Sequence, residues 1–124
     1  MSINSVLPAL IAGNAVIFKP SPQTPLTAER FALALTRAGV PKEVIQVVHM
    51  SPQLATYAIK HPLVTYVSFT GSVVGGQSVE LAAAESKNFT GVALEARLFL
   101  PTSASFIFES WEEKIRRTSE PMQT

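Results

Sequence analysis

The chain contains no cysteine. That excludes disulfides, thiolate metal sites and a cysteine nucleophile within its 124 residues. Charge is scarce too: 15% of residues are charged against 47% hydrophobic, and the formal net charge is +1. A chain so close to neutral has no electrostatic footprint for nucleic acid. So little charge also points to surfaces covered by further chain or by a partner. There is no run of about eighteen apolar residues, the length a membrane helix needs. The best stretch, residues 6–18, is broken by Pro8, Gly13 and Asn14. The N-terminal residues lack a basic segment and a signal-type cleavage pattern, so a soluble, cytoplasmic protein with no membrane partner is the default expectation. His49 and His61 each stand apart from any carboxylate or second histidine at ligand spacing, so they read as surface histidines and no metal site is expected.

What is present is one domain's worth of chain, long enough to hide roughly two-thirds of its unfolded surface. Helical and extended segments alternate. Residues 4–12 are apolar and close on Gly13-Asn14, a helix stop. Residues 15–18 form a short buried strand. Thr24 is a suitable N-cap and Pro25 a suitable first residue for a helix over 25–38, ended by Gly39. A strand over 44–48 follows, then a helix opened by Ser51-Pro52 and stopped by Pro62. A third strand covers 64–69, a helix 72–86, and a fourth short strand 92–94. Short apolar strands separated by helices predict an α/β fold, a Rossmann-like open parallel sheet with helices on both faces. Past Ala96 the regularity stops. Phe108, Trp111 and Ile115 share a face at helical spacing, which predicts a short amphipathic helix and a frayed end. The expected division is therefore 1–95 and a tail, 96–124.

The chemistry concentrates at strand ends. The run Phe69-Thr-Gly-Ser72 joins a strand to a helix through glycine. That layout aims unpaired helix N–H groups and a partial positive charge at an anion. Gly71 and Gly76, with Gln77-Ser78 after them, approach a P-loop pattern, but a glutamine stands where that pattern needs its charged lysine. Nucleoside triphosphate hydrolysis is excluded on that ground. Tyr57 and Lys60 have the wrong spacing for a dehydrogenase tyrosine–lysine pair. Lys19 follows the first strand and Glu95 the fourth, at the carboxyl ends where open α/β sheets bind ligands.

Taken in order, Asn4-Ser-Val-Leu-Pro-Ala-Leu-Ile-Ala-Gly-Asn14, Phe18-Lys-Pro-Ser21, Gln23-Thr-Pro25, Phe69-Thr-Gly-Ser72 with Gly76, and Leu94-Glu95 resemble the aldehyde dehydrogenase superfamily. That family oxidises aldehydes to acids with NAD or NADP through a cysteine thiolate. The resemblance implies a cofactor-binding set of Lys19, Ser21, Thr70, Gly71, Ser72 and Gly76. In it Lys19 meets the adenine-side ribose, Ser72 and the helix start hold the pyrophosphate, and Thr70 lies near the nicotinamide. It implies that Glu95 is the general base that activates water. It also implies homo-oligomers, or docking onto a full-length homologue.

The departures matter as much. Pro22 stands where NAD-preferring members often carry a glutamate, which leaves NAD and NADP both open. After Glu95 the family expects Leu-Gly-Gly-Lys, whereas this sequence reads Ala96-Arg-Leu-Phe99. The cysteine nucleophile is absent, and the family's Pro-Trp-Asn segment, whose asparagine helps stabilise the oxyanion, would precede Met1. The expectation is an aldehyde dehydrogenase-like oxidoreductase fragment, inactive alone, with weakened or lost NAD(P) binding. A non-catalytic nucleotide-binding or oligomer-docking module, or a non-functional truncated product, are the alternatives. An altered reading frame, a retained intron or a degraded gene would each account for the tail.

Overall fold

A computed structural model of the chain describes residues 2–96 and 103–110. From α1 to β4 the alternation read from the sequence is what forms: α1 (Ser2–Ile11), β1 (Asn14–Lys19), α2 (Pro25–Arg37), β2 (Ile45–Val47), α3 (Pro52–Ile59), β3 (Val64–Gly71), α4 (Val73–Ala84) and β4 (Gly91–Ala96); a further strand, β5 (Ser103–Ser110), follows. Glycine ends two of the helices for a conformational reason. Gly13 and Gly39 sit at φ 84° and 102°, a left-handed region that costs an ordinary residue about 1 kcal/mol. Ser51 caps α3 as expected, its Oγ accepting the Leu54 N–H at 3.3 Å. Thr24 precedes α2, but its side chain makes no capping bond. There the carbonyl oxygen of Thr24 accepts the Thr27 N–H at 3.3 Å, and Pro25 supplies the pre-set first turn.

The sheet order is β2-β1-β5-β3-β4. β1 pairs parallel with β2, and β3 with β4. β5 is antiparallel to both β1 and β3, so the other four strands run in one direction. Two apolar clusters hold the layers together. On one face, Val6 and Ala9 of α1 meet Val16 and Ile45, with Phe31 and Leu35 of α2 against them. Phe18 adds an edge-to-face contact with Phe31 at 6.4 Å between ring centroids. On the other face, Ile59 of α3 and Val79, Ala82 and Ala83 of α4 pack on Val67 and Phe69, with Ile17 and Val92 alongside. Each fully buried valine or isoleucine in these clusters contributes about 1.5–3 kcal/mol, and the alanines less. The strand alternation is what divides them: even positions of β1 face α1 and α2, odd ones α3 and α4.

The tail departs from expectation. The spacing of Phe108, Trp111 and Ile115 predicts a helix, yet Ser103–Ser110 is a strand in the middle of the sheet. Trp111 and Ile115 lie outside the described residues. The run Phe106-Ile-Phe108 is aromatic and β-branched, and β1 and β3 present two facing ladders of N–H and C=O groups. Sheet pairing satisfies those groups on both sides, which a surface helix would not. The strand also makes the sheet mixed, where an all-parallel one was expected.

Candidate functional site

Lys19 is the last residue of β1, and its odd position turns it toward α3 and α4. It is 7% exposed. Its Nζ lies 3.5 Å from the Pro20 carbonyl oxygen, at the outer limit of a hydrogen bond. Among the described residues no carboxylate forms an ion pair with it. Burial alone therefore acts on this amine and lowers its pKa.

Lys19 lines a cavity of about 420 Å³ between α3 and α4, floored by Phe69. Pro52, Ala55, Thr56 and Ile59 form one wall. These positions fall at i, i+3, i+4 and i+7, a single helical stripe. The other wall is Ser72, Gly75, Ser78 and Val79 at the start of α4. Ser72 is the N-cap of that helix; its Oγ accepts the Gly75 N–H at 3.1 Å. The N–H groups of Val73 and Val74, in the same first turn, have no intrahelical carbonyl to reach. A cation, a helix N-terminus and an apolar floor thus converge on one cavity, within the range of small-molecule sites. Phosphate-bearing ligands with a flat apolar end suit that combination.

The other residues singled out from sequence lie nearby but differ in placement. Thr70 is buried and Glu95 half-buried. They are Cα partners across β3 and β4. Alternation puts both on the α1 face, because Phe69 and Leu94, one residue earlier on each strand, point toward α4. Lys19 and Ser72 thus flank the cavity on one side of the sheet, while Thr70 and Glu95 sit on the other side of the same strand ends. Gly71 ends β3 between the two groups. Ser21 is buried at 3% exposure, but its Oγ accepts the Gln23 N–H at 3.2 Å, and it lies outside the cavity lining.

Two neighbouring glycines at the start of α4 differ in the room around them. A Cβ on Gly76 would sit 3.7 Å from Leu94 Cδ1, an ordinary contact. A Cβ on Gly75 would sit 2.7 Å from Phe69 Cζ. Gly75, not singled out in the sequence, is the position where the backbone of α4 must pass close to the cavity floor. The doubled glycine in a first helical turn was its signal, since two glycines there cost helix propensity without a capping reason. Sequence reading also missed the α3 wall, although its stripe from Pro52 to Ile59 was visible at helical spacing.

Groups set aside from sequence have structural partners. His49 Nε2 lies 2.9 Å from Glu29 Oε1, and His61 Nδ1 accepts the Leu63 N–H at 3.2 Å. Lys60 pairs with Glu85 at the surface, and Tyr57 is exposed. No group of three metal-ligating side chains occurs among the described residues, and no helix among them is long and apolar enough to cross a membrane.

An α/β sheet covered on both faces, with a capped helix start at a strand's carboxyl end, defines a Rossmann-like protein. The chain belongs to the aldehyde dehydrogenase family, whose model matches residues 1–97. It is 46% identical over 84 residues to 4-trimethylaminobutyraldehyde dehydrogenase A of Danio rerio, covering 67% of this chain and 16% of that protein. It is 48% identical over 79 residues to betaine aldehyde dehydrogenase of Rhizobium etli (strain CIAT 652), covering 64% and 16%. Among solved structures, gamma-glutamyl-gamma-aminobutyraldehyde dehydrogenase from Burkholderia cenocepacia J2315 superimposes with a TM-score of 0.66 at 39% identity, over 72% of this chain and 18% of that one. The chain thus spans about a sixth of the length of the curated relatives it matches.

Proposed function

We propose that the described fold is a nicotinamide-dinucleotide-binding portion of an aldehyde dehydrogenase, and that the 124-residue chain by itself binds NAD or NADP without oxidising aldehydes. One observation carries the binding reading. Lys19, a buried cation with no ion-pair partner among the described residues, lines the same cavity as the Ser72-capped start of α4. An anionic ligand relieves the desolvation of Lys19 and accepts from the Val73 and Val74 N–H groups. The stripe of α3 and the face of Phe69 offer the apolar walls an adenine ring needs. Thr70 and Glu95, around the strand ends from this cavity, suit the nicotinamide side. Pro22 contributes no charge against a 2′-phosphate, so NADP is admitted as well as NAD.

When bound, the dinucleotide supplies a hydride acceptor. The residues of this chain hold and orient it: Lys19 by charge, Ser72 by keeping the helix start open toward the cavity, Gly75 by letting α4 close on Phe69. Glu95 suits a general base in the family's reaction. Here its task has no substrate, because the thiol that forms the thioester is missing from the sequence. Mapping amide shifts of the full chain during titration with NAD and NADP tests the site. The reading expects changes at Lys19, Ser72, Val73 and Val74. Changes spread evenly over the surface would contradict it, and so would NAD(P)H formation by the pure chain with a simple aldehyde.

A second reading, an oligomer-docking module, is favoured by a separate observation. Val74, Leu81 and Phe89 are large apolar side chains left exposed on and after α4. On that reading the chain forms homo-oligomers or docks onto a full-length homologue. Co-purification with an intact homologue supports it, and a clean monomer in sizing chromatography counts against it.

A further inference from the structure

The position of β5 has a meaning that the family match, which ends at residue 97, does not cover. Four parallel strands lie in the order β2-β1-gap-β3-β4, and β5 fills the gap. The common doubly wound order runs 3-2-1-4-5, with the first strand of the chain at the centre. β1, β2, β3 and β4 take places 2, 3, 4 and 5 of that order, and β5 stands in place 1, at the centre. α1 packs on both β1 and the strand in that place, as a crossover helix from one to the other would.

We propose that Ser103–Ser110 is a surrogate central strand, by which the tail completes in cis, and in the reverse direction, the sheet of the family-matched portion. The pairing is extensive. Ile17, Phe18 and Lys19 are opposite Phe106, Ser105 and Ala104, and Val67, Ser68, Phe69 and Thr70 are opposite Phe106, Ser105, Ala104 and Ser103. Both ladders lose register past Ile107, at the amino ends of β1 and β3. Regular pairing is thus kept at the carboxyl ends, where Lys19 and Thr70 sit. Without an occupant, β1 and β3 would each present an open edge, about two strand spacings apart, and the N–H and C=O groups that face the gap would lose their partners, while those facing β2 and β4 keep theirs. The tail therefore joins the half built on β1 and β2 to the half built on β3 and β4, which otherwise share no strand pairing.

Two measurements on the full chain test this. Native-state hydrogen exchange should show the β5 amides protected to the same level as those of β1 and β3. Free-peptide exchange at β5, with β1 and β3 protected, would overturn the proposal. The absence of cysteine makes an engineered pair unambiguous. Ser68→Cys with Ser105→Cys should form an intrachain disulfide and leave the protein monomeric on a non-reducing gel. Failure to form it in the soluble, folded variant overturns the proposal. So does a bond found only between chains, which would show that a second copy fills the place.

Discussion

Lys19 is where the sequence, the burial and the candidate chemistry meet. Its ammonium is desolvated without an ion-pair partner among the described residues, so the folded state holds the proton less tightly than the unfolded chain. The sign follows from linkage. Below the folded pKa the amine is charged in both states and the full penalty is present. As pH climbs from there toward the ordinary lysine value, only the folded state has lost its proton, and stability rises. Lys19→Met should therefore raise the melting temperature at neutral pH and flatten the alkaline rise; an unchanged or lower melting temperature would show that the charge is not desolvated. The two neighbouring glycines give a sharper contrast. Gly75→Ala drives a methyl against the Phe69 ring, and should destabilise by about 1–3 kcal/mol. Gly76→Ala meets only ordinary contact with Leu94, and should stabilise by about 0.5–1 kcal/mol through helix propensity. Denaturant midpoints of the two variants moving in the same direction would contradict this geometry.

At the scale of elements, helix and strand identities from α1 to β4 were legible because each boundary carries a local cause. Gly13 and Gly39 stop helices by positive φ, Ser51 and Ser72 cap them, and Pro62 interrupts. The caps are separable by experiment. Ser72→Ala removes a bond to the Gly75 N–H, and should cost about 1 kcal/mol. Thr24→Ala removes no side-chain cap, and should stay within about 0.5 kcal/mol of the parent in chemical denaturation. An equal loss in both would mean that the serine hydroxyl is not what holds the start of α4. β5 was not legible, and the reason is physical. Its eight residues carry a short aromatic and β-branched run, Phe106-Ile-Phe108, and Phe108 also begins a helical spacing through Trp111 and Ile115. Which one prevails depends on two strand edges contributed by residues some 40 and 90 positions earlier. Non-local pairing of that kind overrides local propensity. The candidate site was legible in part for a related reason. Lys19 and the Phe69-Thr-Gly-Ser72 turn are marked by motif, whereas the α3 wall becomes a wall only once α3 packs beside α4.

At the scale of the molecule, the described residues form one mixed sheet covered by helices on both faces, with the candidate cavity at its strand ends. Its cavity and capped helix lie within the segment that belongs to the aldehyde dehydrogenase family, and its sheet is joined across the middle by a tail beyond that segment. The low charge seen in the composition reappears as apolar side chains left in the open, Phe89 and Val74 among them. The central claim, that this portion holds a nicotinamide dinucleotide between α3 and α4 through Lys19, rests on charge, so it is tested most directly by removing that charge. The measurement is isothermal titration of the full chain and of Lys19→Ala with NAD and NADP at millimolar ligand. The account predicts saturable heat for the parent with at least one of the two nucleotides, and its loss in the folded variant. No heat from the parent, or equal heat from the variant, would contradict it.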